Sequence, residues 1–161
     1  MAEPPVADSS PLIVLSKAGM IAILRIAGDT VVIRRAVADE IEARGEDDIT
    51  VQAVRSNSWI TVVDTPPIPD EIQRCGLDDG ESAVLAWALS HLGSSAILDD
   101  RLARRCATMH DIPVLGTVKI VLNAKQTGLI PLARPALVQL RKVGFYLSDR
   151  ILNDALALVG E

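Results

Sequence analysis

The chain has 161 residues, a length suited to one domain with one hydrophobic core. Sixteen basic residues stand against twenty-one acidic ones, leaving a net charge of −5. That balance argues against holding a polyanion by bulk attraction, so any nucleic-acid contact would need a local basic patch or bound cations. Apolar residues make up 49%, but the only aromatic ones are Trp59, Trp87, Phe145 and Tyr146. The core must therefore come from Leu, Ile, Val and Ala, which suits a parallel sheet covered by helices on both faces.

In chain order, residues 1–5 lack the basic segment and apolar run of a secretory signal. Val6-Ala7 reads as a short strand ending at Asp8. Ser10-Pro11 predicts a helix start, a capping hydroxyl with proline in the first turn. That helix pauses near Gly19 and resumes from Ile21 to Gly28. Residues 31–33 read as a second strand, and residues 34–44 as a helix closed by Gly45. A short polar helix is expected within 46–57, then a strand over 59–63 closed by Pro66 and Pro67. One or two helical turns at 70–75 precede a long helix over 80–92. A strand over 96–98 ends in Asp99-Asp100, and a helix follows over 101–109. Residues 112–115 read as a last strand, where Pro113 marks a sheet edge. Helices over 118–126, 135–143 and 149–159 complete the chain.

Strands alternating with helices predict right-handed crossovers and a mainly parallel sheet. The expected architecture is a single domain over 1–161, with 118–161 packed on it as a helical extension. No apolar stretch reaches membrane-spanning length, and the expectation is a soluble, cytoplasmic protein. Cys75 and Cys106 lie far apart with no CxxC spacing or His-rich neighbourhood, so free buried thiols in a reducing compartment are expected rather than a zinc site. His91 and His110 fall at helix ends and read as surface residues. Trp59 and Trp87 sit inside apolar runs and read as core.

Four acidic positions stand out. In open α/β sheets the working crevice lies beyond the carboxyl ends of the strands. Asp8 follows the first strand and Asp99-Asp100 the fourth, so their acids converge if those strands are neighbours. Asp8 also suits a turn, and one of Asp99 and Asp100 suits a helix cap. Glu40 lies on or beside the stripe formed by Ile33, Val37 and Ile41, where an acid must reach the rim or find a partner. Glu81 has a competing account, because Asp78-Asp79-Gly80-Glu81 resembles a capping box. Clustered carboxylates repel one another unless a cation binds or their pKa values shift. Hard oxygen ligands suit magnesium, and a bound ion can activate water against a phosphodiester.

The order of these motifs resembles that of PIN domains. Asp8-Ser9-Ser10-Pro11-Leu12-Ile13 looks like the opening motif, and Val37-Ala38-Asp39-Glu40-Ile41 is similar to the second. Gly80-Glu81-Ser82-Ala83 resembles the third, and Leu98-Asp99-Asp100-Arg101-Leu102-Ala103-Arg104 the fourth. From Val114-Leu115-Gly116-Thr117 through Gly128-Leu129-Ile130-Pro131 to Gly144-Phe145-Tyr146-Leu147-Ser148, the tail looks like a prokaryotic PIN-like branch often encoded beside small antitoxin-like proteins.

The resemblance implies a three-layer α/β/α sandwich and metal-dependent endoribonuclease chemistry, as in VapC-like toxins. It implies that Asp8, Glu40, Glu81 and Asp99 bind Mg2+ or Mn2+, with Asp100 as an auxiliary ligand. Ser10 would orient Asp8, and Thr117 would help hold the site. Arg101 and Arg105 share a helix face and are candidates for contact with an RNA backbone. The alternative is a weakly active or inactive PIN-like scaffold, whose helical tail offers apolar surface to a second copy or to a small antitoxin-like protein. A receiver-like reading of Asp99-Asp100, Thr117 and Lys119 fails on order, because that family's acidic pair follows the first strand.

Overall fold

The computed structural model describes residues 2–64 and 67–161; Met1 and Pro66, used above for the amino terminus and the end of the third strand, lie outside the described residues. Strands β1 (Val6–Ala7), β2 (Val31–Arg34), β3 (Ile60–Val63), β4 (Ala96–Ile97) and β5 (Val114–Leu115) form one sheet in the order β3-β2-β1-β4-β5. Every strand pair is parallel. β1 is short because Pro4 and Pro5 carry no N–H for a ladder. Their carbonyls still accept: Pro5 from the Val32 N–H at 2.8 Å, and Pro4 from Ser94 Oγ at 2.7 Å. As Pro113 suggested, β5 is an edge strand.

Parallel strands need crossovers, and the helices supply them. α1 (Ser9–Lys17) and a 3-10 helix (Ile21–Ile26) join β1 to β2, while α2 (Arg35–Glu42) and α3 (Ile49–Ser56) join β2 to β3. α4 (Asp70–Gln73) and α5 (Asp79–Ser90) then carry the chain to β4, and α6 (Arg101–Met109) leads on to β5. α7 (Thr117–Gln126), α8 (Ala133–Lys142) and α9 (Asp149–Ala157) pack on one another, and α7 also packs on the 3-10 helix. The sheet with its flanking helices is a three-layer α/β/α sandwich. Its buried centre is aliphatic, with Val6, Leu12, Leu15, Ile33, Leu85 and Ile97 fully out of solvent.

Several boundaries differ from the sequence reading. Asp8, in extended conformation, is the residue before α1, so Ser10 lies inside the helix rather than capping it. Proline is tolerated there because the first-turn N–H groups have no intrahelical acceptor. The segment after Gly19 (φ 71°) is a 3-10 helix, the tighter winding that short connectors adopt.

Arg34 was expected to open the second helix; it is instead the last residue of β2, opposite Val63, and fully buried. Its guanidinium lies 5.1 Å from the centre of the Trp87 ring, and among the described residues Nε and Nη2 have no hydrogen-bond partner. Burial lowers its pKa, with the Asp64 carboxylate acting in the opposite direction. Replacing a buried charge with an apolar chain of similar length is often neutral, whereas truncation leaves a cavity. Arg34→Met should therefore unfold in urea near the wild-type midpoint, and Arg34→Ala should lose roughly 2–4 kcal/mol.

The cysteines also depart from expectation. Cys75, in the loop after α4, and Cys106, in α6, form a disulfide with a Cα–Cα distance of 6.1 Å. They lie 31 positions apart in sequence, and the packing of α4 and α6 against α5 brings them together. The free-thiol reading is overturned, and with it the support that it lent to a reducing compartment. Among the described residues, no helix is long and apolar enough to cross a membrane.

Candidate functional site

The chain winds outward from β1 to β2 and β3, then returns past β1 to β4 and β5. The reversal opens a crevice at the carboxyl ends of β1 and β4, the usual ligand position in such sheets. These two strands pair directly, Val6 with Ala96 and Ala7 with Ile97, and the Asp8 N–H donates to the Ile97 carbonyl at 2.9 Å. Asp8, one residue past β1, and Asp99, two past β4, therefore leave neighbouring strands at the same end of the sheet.

Asp8 is only 4% exposed. Its carboxyl is pushed up from the ordinary 3.8 to about 7, chiefly by burial and further by the negative charges of Glu81, Asp78 and Glu40, while the Ser9 backbone N–H opposes the rise. Gly80 shows how close these groups come. A Cβ at that position would stand 3.1 Å from Glu40 Oε2 and 3.6 Å from both Asp78 Oδ1 and Asp8 Oδ1. Three carboxylates from three elements thus face one point, and the absence of a side chain at Gly80 lets α5 approach them.

Ser9 Oγ donates to Glu40 Oε1 at 3.0 Å, tying α1 to α2. Glu81 is half-buried, and its carboxyl is raised by burial, then by Asp78 and Asp100. Asp99 is held from another direction. Its Oδ1 accepts the Thr117 backbone N–H at 2.8 Å and its Oδ2 accepts the Thr117 hydroxyl at 2.5 Å, at the positive end of α7. The ordinary roles weighed above also appear. Asp100 caps α6 through the Ala103 N–H at 2.9 Å, and Asp78 caps α5 through the Glu81 N–H at 2.7 Å.

Among the described residues, no ion pair involves Asp8, Glu40, Asp78, Glu81, Asp99 or Asp100. Hard oxygen donors gathered without a basic partner, one of them buried and driven toward protonation, fit a divalent cation. Their oxygens do not close into a tight all-protein shell, since within the described residues only Cys75, Cys106 and His110 bring three ligand atoms within 4.8 Å of one another. An open acidic set is what magnesium commonly uses, because it keeps several of its waters.

A cleft of about 840 Å³ runs from Glu81, Asp99 and Asp100 past Ser10 to Arg104 and Lys119. Ser10 is exposed on this wall, and the serine hydroxyl that reaches a site carboxylate is that of its neighbour Ser9. Arg101 is exposed at the first position of α6, and Arg105 lines a separate cavity beside the disulfide. The cations on the cleft are Arg104 and Lys119, which the i, i+4 pairing of Arg101 with Arg105 did not single out. Asp78 was read only as a cap, and its place three residues before Glu81 in Asp78-Asp79-Gly80-Glu81 was the available signal that it stands with the others.

Fold and site together define a class: a parallel α/β/α domain with an acidic cleft where its strand order reverses. A family profile described as a PIN domain matches residues 4–161, and the chain belongs to that family. Comparison with curated proteins gives no significant match.

Proposed function

We propose that this chain is a Mg2+- or Mn2+-dependent endoribonuclease of PIN type, the toxin component of a toxin–antitoxin pair. The observation that carries the reading is the convergence of buried Asp8 with Glu40 and Asp78 beside Gly80, where, among the described residues, no basic side chain forms an ion pair with any of them. Asp8, Glu40, Glu81 and Asp99 would hold the ion, with Asp100 at the margin. A bound divalent cation would supply hydroxide near neutral pH and offset charge on the attacked phosphate. Ser9 orients Glu40 and Thr117 orients Asp99, so two of the carboxylates are positioned before any ion arrives. Arg104 and Lys119 give the cleft a positive wall for an RNA backbone, the local basic patch that a chain of net charge −5 requires.

The test is incubation of the purified protein with a pool of single-stranded RNA oligonucleotides. Internal cuts should appear with Mn2+ or Mg2+, vanish with EDTA and return when the metal is restored. Cutting that persists in EDTA rejects the reading. A second reading rests on the far wall of the same cleft, where Tyr146 is 87% exposed, Leu158 72% and Ile151 51%. That apolar rim suits a small antitoxin-like protein, and a chain that bound such a partner while leaving every RNA intact in Mn2+ would be a binding scaffold.

A further inference from the structure

The disulfide sits away from the acidic cleft, at a cavity of about 360 Å³ lined by Glu71, Arg74, Cys75, Arg105, Cys106 and His110. Cys106 and His110 are four residues apart at the end of α6, so their side chains share one face. The two sulfurs and a ring nitrogen of His110 all lie within 4.8 Å of one another. His110 Nδ1 stands 2.9 Å from the Cys106 carbonyl. The same nitrogen stands 4.0 Å from Cys106 Sγ, so the imidazole ring lies against the sulfurs. Glu71, Arg74 and Arg105 line the same cavity.

We propose that Cys75, Cys106 and His110 form a redox-gated site for a thiophilic divalent cation of the zinc type. In the disulfide the sulfurs are bonded to each other and the site is closed. A dithiol reductant delivers two electrons and two protons, becomes a disulfide itself and leaves two protein thiols. Metal binding then releases both thiol protons and places the ion on Cys75 Sγ, Cys106 Sγ and a ring nitrogen of His110. The Glu71 carboxylate or a water completes four-coordination. Either state ties the loop ahead of α5 to α6, by an S–S bond when oxidised and by the ion when reduced. The linked segments lead to Glu81 on one side and follow Asp100 on the other.

The experiment uses the full chain, oxidised or reduced with dithiothreitol that is then removed without air, titrated with Co2+ as the probe. Reduced protein should develop thiolate-to-cobalt charge-transfer absorption and tetrahedral ligand-field bands that saturate at one equivalent, and Zn2+ should bleach them. Oxidised protein should show neither. Cys75→Ser and Cys106→Ser should each weaken the charge-transfer band and the double variant should remove it, and His110→Ala should weaken binding by about tenfold or more. Cobalt held by the acidic cleft has no thiolate band, so the two sites are read separately and the nuclease reading is untouched by the result. Reduced protein without thiolate bands, or bands and affinity unchanged in His110→Ala, overturns the proposal.

Discussion

Asp8→Asn should slow metal-dependent RNA cleavage by several orders of magnitude while making the metal-free fold more stable. On the proposed reading the carboxylate would supply a ligand from the end of β1, and an ion in such a site would stabilise the transition state by several kcal/mol. At about 1.4 kcal/mol per decade, losing that contribution lowers kcat/KM by roughly 10²- to 10⁴-fold. Asparagine keeps the size and suits the residue before a helix, so α1 should start unchanged. It also removes a charge that burial and three acidic neighbours oppose, so thermal unfolding at pH 8 without metal should occur at a higher temperature. Loss of activity with a gain in stability separates a ligand from a residue that merely supports the fold. A variant that cuts RNA at the wild-type rate, or that unfolds, would remove Asp8 from the metal site.

The acids could be singled out in the sequence because topology alone governs where they go. Short Val/Ile/Leu runs alternating with helices imply a parallel sheet, and its strand ends carry Asp8 and Asp99 to the same edge once β1 and β4 pair. Features that depend on tertiary contact were not legible. Whether Ser9 or Ser10 faces Glu40 turns on one residue of helix phase, about 100° of rotation. Arg34 carries a charge, and sequence rules place it at a surface; only the fit of the β2 end under Trp87 buries it. The disulfide joins two segments that have no local relation, and cysteine spacing holds no record of how α5 and α6 pack. Gly80 looks in sequence like a residue of a helix cap, yet its importance lies in the carboxylates that crowd it.

The stability of the metal-free protein should fall as pH rises from about 4 to about 7 and then level off, and Mn2+ should suppress that fall. In the unfolded chain Asp8 loses its proton near its ordinary 3.8, whereas in the fold it keeps the proton to about 7. Between those values the folded state binds more protons than the unfolded one, so the slope of stability against pH is negative. The full displacement sets a ceiling of about 4 kcal/mol on the loss. Below pH 7 a cation must displace the Asp8 proton, so its apparent affinity should rise by about tenfold per pH unit toward neutrality. At 100 times its dissociation constant the ion adds about 2.7 kcal/mol. The rise in Tm on adding Mn2+ should therefore be small at pH 5 and large at pH 8, as differential scanning fluorimetry would read it. In Asp8→Asn both the negative slope and the pH-dependent metal shift should flatten. A wild-type Tm that ignores both pH and Mn2+ across this range would mean that Asp8 neither keeps its proton in the fold nor exchanges it for an ion.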